Sequence, residues 1–239
     1  MSLAKLHPWT VTAVNLAEHG RNPIHTDEGA RAAGFPKALV AGVSTYAYLT
    51  HPPVAAWSEE WICSGGSEVK FTAPVFDGDE ITCQPVRVND DLFVDAIVDG
   101  ESRVRSRMWN EPHQLSPNRS GEDLPPMTME LNEDWVTYGV RLGDEASLYV
   151  EGGIVHPAAW PALANEVMAK ELVTGAWIHT RSAIQHHGVA HLGSTAVIES
   201  TLIDRFSSRL GERAIVDMTI SADGQPVATI EHEAIVSLQ

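Results

Sequence analysis

The chain repeats one order of elements on either side of a break. Across residues 110–126, NEPHQLSPNRSGEDLPP, proline, serine, asparagine and charge displace every apolar period, so the stretch reads as a linker. It leaves about 110 residues on each side, the size of a small domain. On the N-terminal side residues 39–57 form a small apolar run that predicts a helix, which Pro52 and Pro53 should end or kink. Alternating patterns predict strands at 67–72, 80–88, 92–99 and 102–109. On the C-terminal side 158–172 plays the part of the helix, and strands are expected at 175–185, 195–205, 213–222 and 226–236. One helix followed by four strands, twice, indicates an α+β fold. In each half an antiparallel sheet has one face to bury, and the helix is its natural cover. The expected domains are residues 1–118 and 119–239.

Charge and cysteine content narrow the function classes. Lys and Arg number 16 against 32 Asp and Glu, a net charge of −16 that repels nucleic-acid backbones and anionic lipid. Neither nucleic acid nor membrane is an expected partner, and no window reaches the 18 or so apolar residues of a span. Cys63 and Cys83 lack CxxC spacing, which suggests neither a disulfide framework nor a thiolate metal site and fits a reduced, cytoplasmic setting.

The segment from Arg21 to Leu49, RNPIHTDEGARAAGFPKALVAGVSTYAYL, resembles the signature of the MaoC-like (R)-specific enoyl-CoA hydratase and 3-hydroxyacyl-thioester dehydratase family. That pattern runs D-x-N-P-x-H, then D, A-x-x-x-G-F, and H-G opening a helix, where this chain has Ala41 in place of the histidine. Asn22, Pro23, Ile24, His25, Asp27, Ala30, Ala33, Gly34, Phe35 and Gly42 follow it in order. FTAPVFDGDEI, residues 71–81, is similar to the family's V-x-F-x-x-P-V-x-x-G-D strand pair, and GGIVHPAAW, residues 152–160, to its helix start. The resemblance implies a double hot dog, two antiparallel sheets each wrapping a central helix. It also implies a C-terminal half without catalysis that completes the acyl pocket.

The chemistry implied is addition of water to an enoyl thioester, or its reversal, with a coenzyme A or carrier thioester as substrate and no resident cofactor. His25 takes the place of the family base, and Gly42 that of the residue whose N–H binds the thioester oxygen at a helix start. Asn22 would hold the loop. The family aspartate, five residues before the histidine, is Gly20 here, so Glu18 or His19 would have to stand in, with Asp27 nearby. The departure keeps two alternatives open: a hot dog thioesterase, in which Glu18 or Asp27 directs water at the carbonyl, and a non-catalytic acyl-CoA-binding protein. His156 opens the second helix, but Pro157 after it has no N–H to offer.

For coenzyme A phosphates the candidates are Arg31, Lys37 and Arg105, the last in an alternating row with Arg103 and Arg107 that also reads as a solvated strand face. His186, His187 and His191 lack a companion ligand, so no metal is expected. Trp57 and Trp160 beside the helices are candidates for the acyl pocket wall. The helix lining, with Tyr46 and Tyr48, suggests a short or polar acyl group. Assembly as a monomer or a homodimer stays open.

Overall fold

The computed structural model describes residues 6–112, 119–144 and 147–238. Ten strands alternate with helices: β1 (Trp9–Thr12), β2 (Gly66–Phe71), β3 (Glu80–Val88), β4 (Asp91–Val98), β5 (Glu101–Trp109), β6 (Glu122–Glu130), β7 (Ile178–His186), β8 (Thr195–Ser208), β9 (Gly211–Ala222) and β10 (Gln225–Leu238). The first long helix is Gly42–Trp57 and the second Ala159–Glu171. Every pairing is antiparallel, and the strands lie in the order β1-β3-β4-β5-β2-β7-β10-β9-β8-β6.

The expected two sheets are therefore one. The first five strands and the last five join because β2 pairs with β7, from Gly66 opposite Gln185 to Lys70 opposite Arg181. Glycine is required at this seam: a Cβ on Gly66 would lie 2.4 Å from the Ile184 carbonyl oxygen. Gln185 ties the junction further, accepting from Trp109 Nε1 at 3.0 Å and donating to the carbonyls of Ser64 and Gly65. Lys70 and Arg181 would repel across the ladder, but Glu68 lies 3.0 Å from both.

Two local expectations also change. Residues 122–126 of the expected linker, together with 127–130, form β6, an edge strand on β8, with a register shift between Leu124 and Met127 where Pro125 and Pro126 sit. An edge is where a strand tolerates proline, because the missing donor faces outward. Arg119, also in that stretch, is ion-paired with Asp217 and Glu231. The domain boundary expected at residue 118 falls at 113–118, outside the described residues.

The first long helix runs through Pro52 and Pro53 to Trp57. Pro52 has no N–H for the Tyr48 carbonyl, and the Cys83 thiol donates to that carbonyl instead at 3.4 Å. The helix is buried nearly all round, from Val43 to Thr50, between the sheet and the second half. One hydrophobic cluster holds Tyr46 and Leu49 from this helix together with Trp160, Leu163 and Met168 from the second. Among the described residues no helix is long and apolar enough to cross a membrane.

Candidate active site

A chain of local hydrogen bonds places His25. The Asn22 side chain caps the turn Pro23–His25, and its Nδ2 donates to the Trp177 carbonyl at 3.0 Å, fastening the loop to the other half. Asn15 Nδ2 donates to the His25 carbonyl, and Thr26 caps the short helix Asp27–Ala32. The imidazole Nδ1 lies 2.8 Å from the Leu39 carbonyl oxygen. A carbonyl only accepts, so Nδ1 carries the hydrogen and Nε2 is left bare. Burial lowers the His25 pKa below its ordinary value, against an opposing effect of the Leu39 carbonyl, so the ring is neutral at pH 7.

Gly42 is the first residue of the first long helix, after Ala41. Proton-bearing N–H groups at such a start have no intrahelical partner and favour negative charge. A Cβ on Gly42 would lie 3.1 Å from His179 Nδ1 and 3.4 Å from the Phe71 ring, so glycine keeps this approach narrow but passable. His25 and Gly42 line a cleft of about 510 Å³ with Phe71, Trp177, His179 and Arg213. A second cleft of about 680 Å³, lined by His19, Met129, Trp135 and Glu166 among others, meets the first at Asn22, His25, Asn165 and Trp177. His25 thus stands at a junction with space on two sides.

The remaining residues expected from the sequence divide sharply. His19 comes close, its ring centroid 6.0 Å from that of His25 and the two rings edge to face. Glu18 lines the second cleft, but Arg141 holds its carboxylate at 2.5 and 3.1 Å. Asp27 accepts from the Ala38 N–H and Arg31, and lines neither cleft. Around Gly20 a Cβ would meet nothing within 4 Å.

Arg31, Lys37 and Arg105 line neither cleft. Arg31 pairs with Asp27, Lys37 with Asp79 and the Asp77 carbonyl, and Arg105 with Asp95. The cations that do line the first cleft are Lys70, Arg181 and Arg213. Trp57 packs under Arg87, and Trp160 is buried in the core, so neither forms a cleft wall. His186 donates to the Trp61 carbonyl and His187 bonds Thr229, and among the described residues no metal-ligating group of three converges.

Asn165, Trp177 and His179 were not legible as site residues. All three come from the second half, and their approach to His25 depends on the β2–β7 junction, for which a single sequence carries no local pattern. Behind His179, Ser182 Oγ lies 2.8 Å from His179 Nε2 and 2.8 Å from His232 Nδ1. Burial holds both rings neutral, His179 well below its ordinary pKa and His232 down to about 3.

Residues 12–110 match the family model described as MaoC like domain. No curated protein sequence matches the chain. A protein of Mycobacterium tuberculosis solved with a double hot dog fold superimposes with a TM-score of 0.69 at 11% identity, over 98% of this chain and 96% of that one. A proposed MaoC domain dehydratase from Chloroflexus aurantiacus gives 0.66 at 13% identity, over 97% and 95%. An acyl-ACP thioesterase from Bacteroides thetaiotaomicron gives 0.55 at 10% identity, over 98% and 100%. These likenesses establish the fold.

Proposed function

We propose that the chain, whose residues 12–110 match the MaoC like domain model, hydrates an enoyl thioester, or dehydrates the 3-hydroxyacyl thioester, with coenzyme A or a carrier as the thiol. The observation that carries this reading is the bare Nε2 of a neutral, carbonyl-anchored His25 in the same cleft as the N-terminus of the first long helix. His25 Nε2 takes a proton from water while the water oxygen bonds to the β-carbon. The double-bond electrons move toward the thioester oxygen, which the Gly42 N–H stabilises, and the α-carbon then gains a proton. Asn22 holds the His25 turn against the second half.

Lys70, Arg181 and Arg213 at the first cleft give a negatively charged chain of −16 a local place for coenzyme A phosphates. This replaces the earlier assignment to Arg31, Lys37 and Arg105.

One observation favours thioester hydrolysis as a second reading. In the first cleft the carboxylate among the described lining residues is Glu233, which Arg213 holds; in the second Arg141 holds Glu18 and Arg21 holds Glu166, and Glu130 and Asp134 line it as well. A single base suffices to direct water at a carbonyl. The conjugated-thioester absorbance of short, branched and polar enoyl-CoA substrates separates the readings when free thiol is measured alongside. Loss of the band without thiol, abolished by His25→Ala, is the expected outcome. Thiol release with the band intact would give the reaction to hydrolysis, and neither signal with any substrate would leave binding alone.

A further inference from the structure

Next to His25 lies a second imidazole whose hydrogen can be located by accounting for hydroxyls. Tyr138 Oη is 2.9 Å from His19 Nε2 and 2.9 Å from Ser44 Oγ, and Ser44 Oγ is 3.4 Å from the same Nε2. Ser44 and Tyr138 are both 0% exposed. If His19 Nε2 carried the hydrogen it would donate to Tyr138, Tyr138 would donate to Ser44, and the buried Ser44 hydroxyl would have no acceptor among its recorded partners. In the opposite direction Ser44 donates to Tyr138, Tyr138 donates to His19 Nε2, and every hydroxyl hydrogen is used. Leaving a buried donor unmade forfeits its hydration with nothing in return, which decides the direction. Nε2 of His19 is therefore the acceptor, and Nδ1 carries the hydrogen.

Two open nitrogens of opposite character now share the second cleft: a bare Nε2 on His25 and an N–H at Nδ1 of His19, neither with a recorded partner among the described residues. We propose that His19 and His25 hold one water between them, with His25 Nε2 accepting the water's proton and His19 Nδ1–H donating to its oxygen. Tyr138, supplied by the second half, and Ser44 are the positioning residues that set the hydrogen on His19. The inference rests on the reading of His25 as the base and supplies a partner where the family aspartate is Gly20. Ring centroids 6.0 Å apart leave room for a water at ordinary hydrogen-bond distances of about 2.8 Å.

Neutrality of both rings is part of the design. Burial first, then the neighbouring His25 charge, pushes His19 down to about 4, with Glu18 opposing and Arg141 and Arg21 assisting. Burial raises the Tyr138 pKa, so its hydroxyl stays protonated and able to donate. A neutral imidazole N–H serves as a hydrogen-bond donor in other enzymes for the same reason. Water held this way loses no proton to His19. The proton that His25 takes from the water is the one it returns to the α-carbon, so the addition consumes one water and needs no other proton source.

The test reads the hydrogen directly. Long-range ¹H–¹⁵N spectra of the ¹⁵N-histidine-labelled full chain at pH 7, with His19→Gln for assignment, should show His19 neutral with its hydrogen on Nδ1. Tyr138→Phe should move that population toward Nε2–H and leave the His25 signature unchanged. Should that variant fail to fold, Ser44→Ala, which frees the Tyr138 oxygen to accept from Nε2–H, should produce a mixture. On an acyl-CoA that the wild type turns over, His19→Phe should lower kcat about 10²-fold with KM within about threefold, the loss of one preorganised donor. A wild-type His19 carrying its hydrogen on Nε2 overturns the inference whatever the turnover. A His19→Phe variant as fast as the wild type overturns it while the His25 reading stands, whereas a wild type that turns over no thioester defeats that reading and leaves the spectra to decide the hydrogen.

Discussion

At the start of the first long helix Gly42 lines a cleft, whereas before the second the imidazole of His156 is buried in the core. Ala158 N–H donates to His156 Nδ1 at 3.1 Å, Pro157 has no N–H, and Thr50 Oγ1 lies 3.4 Å from Nε2. Tyr149 and Tyr138 pack on the ring, which is 0% exposed, and burial pushes its pKa down to about 4. His156 lines neither cleft. The two halves thus treat the same helix start differently: the first keeps it at a cleft and the second buries it in packing. A histidine beside a helix start is a chemical feature only when something keeps the N–H groups and the ring face open. Gly42 and the Leu39 carbonyl do that in the first half.

The sharpest way to break this contrast is His25→Ala, which should lower turnover of any thioester substrate by about 10²- to 10⁴-fold, far beyond what the modest loss of stability from the missing His25–Leu39 hydrogen bond explains, with kcat read where the protein is folded. An unchanged rate would remove the first half's claim to the chemistry. Gly42→Pro copies the second half's arrangement onto the first: proline suits the first helical position, and Ala41 at φ −59°, ψ 140° already has the extended backbone it demands. Loss of the single N–H should cost about 10²- to 10³-fold in kcat beyond Gly42→Ala, which adds the same Cβ 3.1 Å from His179 Nδ1 but keeps the N–H, with circular dichroism to show the helix intact.

His156→Ala should act the other way round. Losing the acceptor of the buried Ala158 N–H and leaving a cavity should cost about 2–4 kcal/mol of stability, read as a lower denaturant midpoint, with kcat unchanged where the protein is folded. A matching fall in kcat would mean that the second helix start also serves the reaction.

The smallest effects are in pH. His25 must be neutral to act, and its lowered pKa places the acid limb of kcat/KM below the 6.5 of an ordinary histidine. His156 and His186, both pushed down to about 4 by burial, are neutral in the fold but take up protons in the unfolded chain below 6.5. Their contribution to stability is full above pH 6.5 and is lost as pH falls toward and through 4. Melting curves between pH 7 and 4 should fall steadily, and His156→Ala should flatten part of the slope.

Much of the architecture was legible because alternation and apolar runs are local. Glu80–Val88 forms the strand expected at 80–88, and both long helices lie within the expected runs. The strands that escaped notice, β1 and β6, are the two edges of the sheet. β1 is four residues long and β6 carries two prolines, so neither shows a buried alternating face. The helix through Pro52 and Pro53 depends on a thiol 35 positions away in sequence, which no propensity reports. In the site, His25, Asn22 and Gly42 could be found because a motif places them within about twenty residues. Tyr138, Asn165, Trp177 and His179 could not, because their proximity is a tertiary fact. The engagement of Glu18 by Arg141, 123 positions away, is of the same kind.

The ladder between β2 and β7 also governs how many sites a molecule can have. Two identical copies meeting edge to edge would make two equivalent clefts, each copy lending its wall to the other's base. Here a single polypeptide dictates that the half bearing His25 always meets the half bearing Trp177 and Asn165. The proposed site is then one per chain, and the other half is free to drift toward packing, as the buried imidazole of His156 illustrates.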